Sequence, residues 1–387
     1  MLNRWHAALL ALGLPTALFA GPVLAGPPVE GRFTAPEGRT LLFIGQDSDT
    51  IAAYVAEVPE DPLEGVTLYT SLKSDGAAQA LPAVFSKADW NAGDVDFGRT
   101  LADAPGAALA IGLAIDACGQ DDHAGNIAEG RYDRSLARLV DYMKALAPRK
   151  VFLRIGYEFD GPWNCYRPDS YKAAFAHITR AVRKAGAVNV ATVWQSAAWP
   201  DASIAGAQAP LYDHRAPTHL DAWYPGDELV DWVGVSVFYR DLSQWAYVPP
   251  DRPEHAQERL LAFARAHGKP VMIAEAAPQG LRTGALTRSV IQRNEPVAVS
   301  AEQAWDGWYA PFFRFIDDNR DVIRAVAYIN ADWQSQKMWE CAPDTPAGQP
   351  GCANGNWGDS RVQANDHIRA RWLEQVSNPD TWAQKAP

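Results

Sequence analysis

Residues 135–160 read SLARLVDYMKALAPRKVFLRIGYEFD, and this stretch decides the fold. Leu136, Leu139, Val140, Met143 and Leu146 recur every three or four positions, which predicts an amphipathic helix over Ser135–Ala147. Val151–Ile155 follows as a short aliphatic run that does not alternate strictly with polar residues, the pattern of a parallel strand covered on both faces. A helix feeding a buried strand is the unit from which α/β domains are built.

The unit recurs along the chain. Apolar runs stand at Thr40–Ile44, Val66–Tyr69, Ala108–Ile115, Val151–Ile155, Val190–Trp194, Trp232–Phe238, Val271–Ala274 and Ala325–Ile329. Tyr171–Ala185 and His255–Ala266 are further amphipathic stretches between them. Eight strands alternating with helices predict a (β/α)8 TIM barrel occupying residues 26–387 as a single domain. The competing open, doubly wound sheet lacks a Gly-x-Gly-x-x-Gly after its first strand. With 387 residues the chain exceeds the ~250 typical of such a barrel. The surplus falls in loops at Asp116–Asp133, Ser196–Asp231, Ala276–Ala304 and Asp332–Asp359, after strands three, five, seven and eight. All lie on the C-terminal face, where barrels of this kind carry their sites.

Composition narrows the function. A chain 48% hydrophobic and 21% charged is globular, which excludes disorder, collagen and coiled coil. Its net charge of −11 argues against nucleic acid or an anionic membrane surface as partner, since both require a basic footprint. Fifteen tryptophans, with 13 Tyr and 13 Phe, serve either a large core or a cleft with flat apolar walls.

The N-terminus carries Arg4 and His6, an apolar run over 7–20 and then Val23-Leu24-Ala25. This reads as a secretory signal peptide, residues 1–25, cleaved after Ala25. The run is too short for a spanning helix, and no second apolar stretch is long enough for one. A secreted or periplasmic protein is expected, and a monomer. Four cysteines, an even number in an exported chain, suggest two disulfides, with three connectivities open. Cys341 and Cys352 bracket one loop and form the local pair, which leaves Cys118 with Cys165. Neither a Cys-x-x-Cys nor a paired-His spacing stands out, so no metal is expected.

Two glutamates end two of the strands. Glu158 follows the fourth and Glu275 the seventh, so both project into the barrel mouth from opposite sides. Paired carboxylates across a cleft are what glycoside hydrolysis requires: one protonates the leaving oxygen, the other attacks or activates water. A carboxylate in such a place can also serve only an ion pair, and Arg154 is the obvious partner. Its charge would equally hold a nucleophile ionised. Trp163, Trp194 and Trp333 stand near strand ends, placed to stack on sugar rings.

The segment 154–163, RIGYEFDGPW, resembles the strand-four motif of the family-26 glycoside hydrolases, retaining (β/α)8 enzymes with glutamates on strands four and seven. Trp223-Tyr224-Pro225-Gly226-Asp227 through Asp231-Trp232-Val233-Gly234 resembles that family's loop into strand six, and Met272-Ile273-Ala274-Glu275 its nucleophile strand. Trp305–Asn319 and Trp357–Trp372 look like its last two helices, so the resemblance runs from about Leu41 to Trp372. It implies Glu158 as acid/base, Glu275 as nucleophile, a covalent glycosyl-enzyme and no cofactor. Two positions depart from the pattern. Tyr157 stands where mannan-degrading members commonly carry His, a change at the catalytic subsite that bears on mannan itself; other members of the family act on β-1,3-xylan or on mixed-linkage β-glucan. The family's strand-six Tyr near the nucleophile corresponds to Phe238 by counting from Gly234, or to Tyr239 if the strand carries a bulge.

Gln46, Asp47, Asp49 and Asp116 follow strands one and three and are further candidates for sugar hydroxyls. Asp121-Asp122-His123 reads as a solvated loop. No Gly-x-Ser-x-Gly supports a serine hydrolase. The expected activity is a secreted retaining endo-β-glycosidase acting on a neutral β-linked polysaccharide: β-mannan, β-1,3-xylan or mixed-linkage β-glucan. The alternatives are a non-catalytic carbohydrate-binding barrel and a glycosidase for a microbial envelope glycan.

Overall fold

The computed structural model describes residues 29–383, apart from 62, 78–79, 116–118, 120, 200–210, 239–251, 292–293 and 343–344. The 1–25 segment, Asp116, Cys118 and Tyr239 thus lie outside the described residues. Eight parallel strands close into a barrel: β1 (Leu41–Gly45), β2 (Gly65–Ser71), β3 (Ala108–Ala114), β4 (Val151–Ile155), β5 (Val190–Ser196), β6 (Trp232–Val237), β7 (Val271–Ala276) and β8 (Ile323–Ile329). Each pairs with its sequence neighbours, and β1 closes on β8 in register from Leu41 opposite Ala325 to Gly45 opposite Ile329.

Two apolar layers hold this frame. Outward-facing strand residues such as Leu153, Ile155, Val233 and Ile273 pack against the surrounding helices. Asp133–Ala145 contributes Leu136, Leu139, Val140 and Met143, the face expected of it. Each large apolar side chain so buried stabilises the fold by roughly 1.5–3 kcal/mol. Inside the barrel, Phe43, Phe152 and Trp232 alternate with alanines from β3, β5, β7 and β8. Their rings meet edge to face, Phe43–Phe152 at 5.2 Å and Phe152–Trp232 at 5.4 Å. This plug fills the lower barrel, so the polar residues that follow on the same strands rise toward the C-terminal mouth.

The last two helices differ from expectation. The first begins at Ala301, runs through a π-helical stretch at Trp305–Tyr309 and continues as Ala310–Asp318. The second is Asp366–Val376, started by Asn365, whose side chain accepts from the His367 and Ile368 amides. Residues 357–365 carry no α-helix: Gly358 and Asp359 pair with Leu281 and Arg282, and Val362–Ala364 form only a single 3-10 turn. Gly358 has φ +88°, and a Cβ there would sit 2.1 Å from the Leu281 carbonyl oxygen. The resulting four-stranded sheet takes three short strands (Leu281–Arg282, Thr287–Arg288, Val297–Ala298) from the loop after β7 and one from the loop after β8. Cys341 and Cys352 are disulfide-bonded in the latter loop, as expected, and Cys165 is also disulfide-bonded. Among the described residues, no helix is long and apolar enough to cross a membrane.

Candidate active site

Strand parity builds the site. In β4, Phe152 faces the barrel interior, and Arg154 two residues on shares that face. In β5 the inward series Ala191, Val193 continues to Gln195, and in β6 Trp232 leads to Ser236. On β7, Met272 and Ala274 face inward, so strict alternation would turn Glu275 outward. A bulge corrects this: Val235 pairs with Ile273, but the next residue, Ser236, pairs with Glu275. The extra residue reverses parity and brings the Glu275 carboxylate into the mouth.

Glu158 arrives differently. The chain leaves β4 through Gly156 and Glu158, both left-handed at φ +52°. A Cβ on Gly156 would meet the Tyr171 ring at 2.7 Å, so glycine is required where the chain turns. The Asn164 side-chain amide donates to the Tyr157 and Glu158 carbonyls, 3.0 Å each, and fixes the turn.

The two carboxylates share one polar network. The Ser236 hydroxyl donates to Glu158 Oε1 at 2.7 Å. The Gln195 amide donates to Ser236 Oγ at 3.1 Å and to Glu275 Oε1 at 3.3 Å. Arg154 donates to Glu275 Oε1, to Gln195 Oε1 at 2.7 Å and to the Tyr69 hydroxyl at 3.3 Å. Arg154 is therefore an ion-pair partner, but of Glu275 rather than Glu158, and both carboxylates still line the cleft. The Trp163 indole donates to Glu158 Oε2 at 2.9 Å. Burial pushes the Glu158 carboxyl up to about 8, and the neighbouring Glu275 charge adds to the rise; the Ser236 and Trp163 hydrogen bonds and the Arg154 charge oppose it. A carboxyl that keeps its proton at neutral pH is equipped to be a general acid.

The cleft encloses about 760 Å³. Tyr69, Tyr157, Glu158, Ser236 and Glu275 form its floor, and Trp90, Trp163, Trp199, Phe238, Trp339 and Trp357 line its walls. Trp163 is half-exposed, Tyr157 packs edge to face on Tyr69 at 5.3 Å, and Trp339 lies 4.2 Å from Trp357. The walls present flat aromatic faces, and Gln46, Asn164, Gln257, Gln279 and Asn354 add polar groups to the lining, an arrangement that suits sugar rings.

Several expected residues are elsewhere. Trp194 does not reach the cleft: its ring is fully buried outside the barrel, stacked on Phe159 at 4.3 Å, with its indole N–H on the Trp223 carbonyl. Its parity explains this, since its neighbour Gln195 takes the inward position. Trp333 borders the cleft but is buried behind Trp357, edge to face at 5.3 Å. Asp47 is the N-cap of Ser48–Glu57, accepting from the Asp49 and Thr50 amides, and also accepts from Gln336. Asp49 pairs with Arg99, whereas Gln46 does line the cleft. Asp122 caps the short helix His123–Ala128. On β6 it is Ser236 that touches Glu158; Phe238 lines the wall, with its carbonyl held by the Trp308 indole at 2.8 Å.

Sequence reasoning did not single out Tyr69, Gln195 or Ser236. Each is one polar residue within an apolar strand, and only barrel closure brings it to the carboxylates. Gln195 stands two residues after Val193 and Ser236 four after Trp232, and this even spacing from barrel-filling positions is the signal that would have found them.

No family model matches the chain. It is 33% identical over 354 residues to the β-1,3-xylanase TXYA of a Vibrio species, covering 91% of this chain and 67% of that protein. It is 32% identical over 374 residues to a β-1,3-xylanase of an Alcaligenes species, covering 96% and 70%. Solved structures with the same fold include a GH26 β-mannanase from Bacteroides ovatus, with TM-score 0.51, 11% identity and 90% of both chains covered. The Cellulomonas fimi endo-β-1,4-mannanase superposes with TM-score 0.53 at 14% identity, covering 90% of this chain and 73% of that one. One-third identity to two glycosidases over nine-tenths of its length, on a barrel shared with these mannanases, makes the chain a glycoside hydrolase, and it belongs to family 26.

Proposed function

We propose that the protein is a secreted, retaining endo-β-1,3-xylanase. The observation that carries the mechanism is the continuous link from Glu158 through Ser236 and Gln195 to Glu275, which holds two carboxylates from opposite strands at one cleft. A Glu275 oxygen attacks the anomeric carbon, and the glycosidic C–O bond breaks. The Glu158 proton passes to the leaving oxygen, and the sugar stays esterified to Glu275. Glu158, now ionised, takes a proton from the incoming water, which displaces Glu275 and restores both groups. Arg154 and Gln195 orient the nucleophile, and Tyr157 and Tyr69 form the floor beneath the reacting sugar.

The linkage rests on two supports: the names of the relatives and Tyr157 in place of the histidine common in mannan-degrading members. Secretion is supported by the 1–25 segment and by the bonded cysteines. The test is reducing-end release from β-1,3-xylan, β-1,4-xylan, β-mannan, mixed-linkage glucan and β-1,3-glucan, for wild type beside Glu275→Ala. Proton NMR would follow the anomeric configuration of the first product. Hydrolysis of β-1,3-xylan alone, with the β-anomer formed first and activity abolished by Glu275→Ala, is expected. Preference for another polymer would overturn the substrate, and an initial α-anomer would overturn retention.

A further inference from the structure

Behind the Glu158 loop, away from the cleft, Asp160, His214 and His219 converge with their ligand atoms all within 4.8 Å of one another. All three are at least nine-tenths buried, at 1%, 5% and 5% exposure. Asp160 Oδ2 lies 3.1 Å from His219 Nε2 and 3.4 Å from His214 Nε2. Zinc bonds of about 2.0–2.1 Å in a tetrahedron place neighbouring ligand atoms ~3.3–3.4 Å apart, close to these separations. His214 Nε2 lies 3.4 Å from Asp160 Oδ2 but has no hydrogen-bond partner, so a buried ring nitrogen sits within the cluster unused.

The surroundings have the form of a ligand support. The Ala197 amide donates to Asp160 Oδ1 at 2.7 Å and the Ser196 hydroxyl to Oδ2 at 2.6 Å, as carboxylates that ligate metals are commonly held. His214 and His219 have four residues between them, within the range used by paired zinc histidines, a spacing that sequence reasoning passed over. The glycosidase chemistry proposed above has no use for this cluster.

We propose that Asp160, His214 and His219 form a buried structural site for a divalent transition metal, zinc by ligand type. The ion would tie the loop carrying Glu158 and Trp163 to the segment before β6. It would take no part in the reaction.

The test uses the intact protein and does not read activity. Wild type purified without chelator, or stripped and resupplied with zinc, should hold about one zinc per chain by elemental analysis. Stripping should lower Tm, zinc should restore it and magnesium should not. Cobalt should give the visible bands of a tetrahedral site. His219→Gln should lose the metal, and the double variant Glu158→Gln/Glu275→Gln should retain it. If stripped wild type takes up no stoichiometric zinc and its Tm does not move, the cluster is a hydrogen-bonded carboxylate–imidazole network and the proposal fails. It fails equally if metal is lost from the double variant while His219→Gln keeps it. Should His219→Gln not fold, the wild-type titration decides alone.

Discussion

Arg154 on β4 and Glu275 on β7 form an ion pair across the barrel, with the guanidinium fully buried. The same guanidinium holds Gln195 and Tyr69, so one side chain orients three groups beneath the cleft floor. Removing it should harm both folding and chemistry. Arg154→Met is expected to cost about 3–5 kcal/mol, because Glu275 is left buried without its partner. It should also lower kcat by about 10²–10³, the scale of losing one preorganised electrostatic donor. Arg154→Lys should recover only part of either, since a point charge cannot reach three acceptors as the planar fork does. Denaturant unfolding and steady-state kinetics on the pair of variants check this.

The raised Glu158 pKa sets a pH limit. The general acid must be protonated, so kcat/KM on polysaccharide should fall as pH rises through about 8. With an aryl glycoside whose leaving group needs no proton, that limb should weaken or vanish. An alkaline limb of equal steepness on both substrates would contradict the assignment.

Ser236 tunes that limit. Its hydroxyl donates to Glu158 and favours the ionised form, opposing the effect of burial. In Ser236→Ala the alkaline limb should move upward by about one pH unit, as loss of a charge-assisted hydrogen bond worth roughly 1.5 kcal/mol implies. A merely structural serine would change the rate and leave the limb in place.

The same shift has a cost in stability. A carboxyl raised from 4.5 to about 8 in the folded protein contributes stability below its ordinary pKa, and that contribution is lost as pH rises through the folded value. Glu158→Gln does not titrate. Its Tm advantage over wild type should therefore grow from pH 5 to 8 and level off beyond, at about 2–4 °C for each 1 kcal/mol recovered in a large domain. A difference independent of pH would show that burial of the ionised carboxylate is not the cause.

Much of this was legible in the chain itself. Parallel strands buried on both faces leave short aliphatic runs, so all eight stood out, and with them the two glutamates at strand ends. What was hidden depended on register or on partners. The β7 bulge that turns Glu275 inward leaves no mark in Ile273-Ala274-Glu275. Trp194 and Trp357 are the same residue type near strand ends, yet one is core and the other wall, decided by parity and by a pairing between loops. Asp47 illustrates a third kind of loss: an aspartate ahead of a helix is claimed first by backbone amides, and only what they leave can serve a ligand.

The four-stranded sheet at the rim joins the loop after β7 to the loop after β8 through Leu281–Arg282 and Gly358–Asp359. Trp357, a wall of the cleft, is anchored at this seam, its carbonyl accepting from the Gly280 amide at 2.8 Å. These two rim segments therefore form one structural unit rather than two independent appendages. Recombining this barrel with a homologue to alter which polymer it accepts would have to exchange both segments together. A crossover placed between them would bring in a strand without its mate and leave the tryptophan without its mooring.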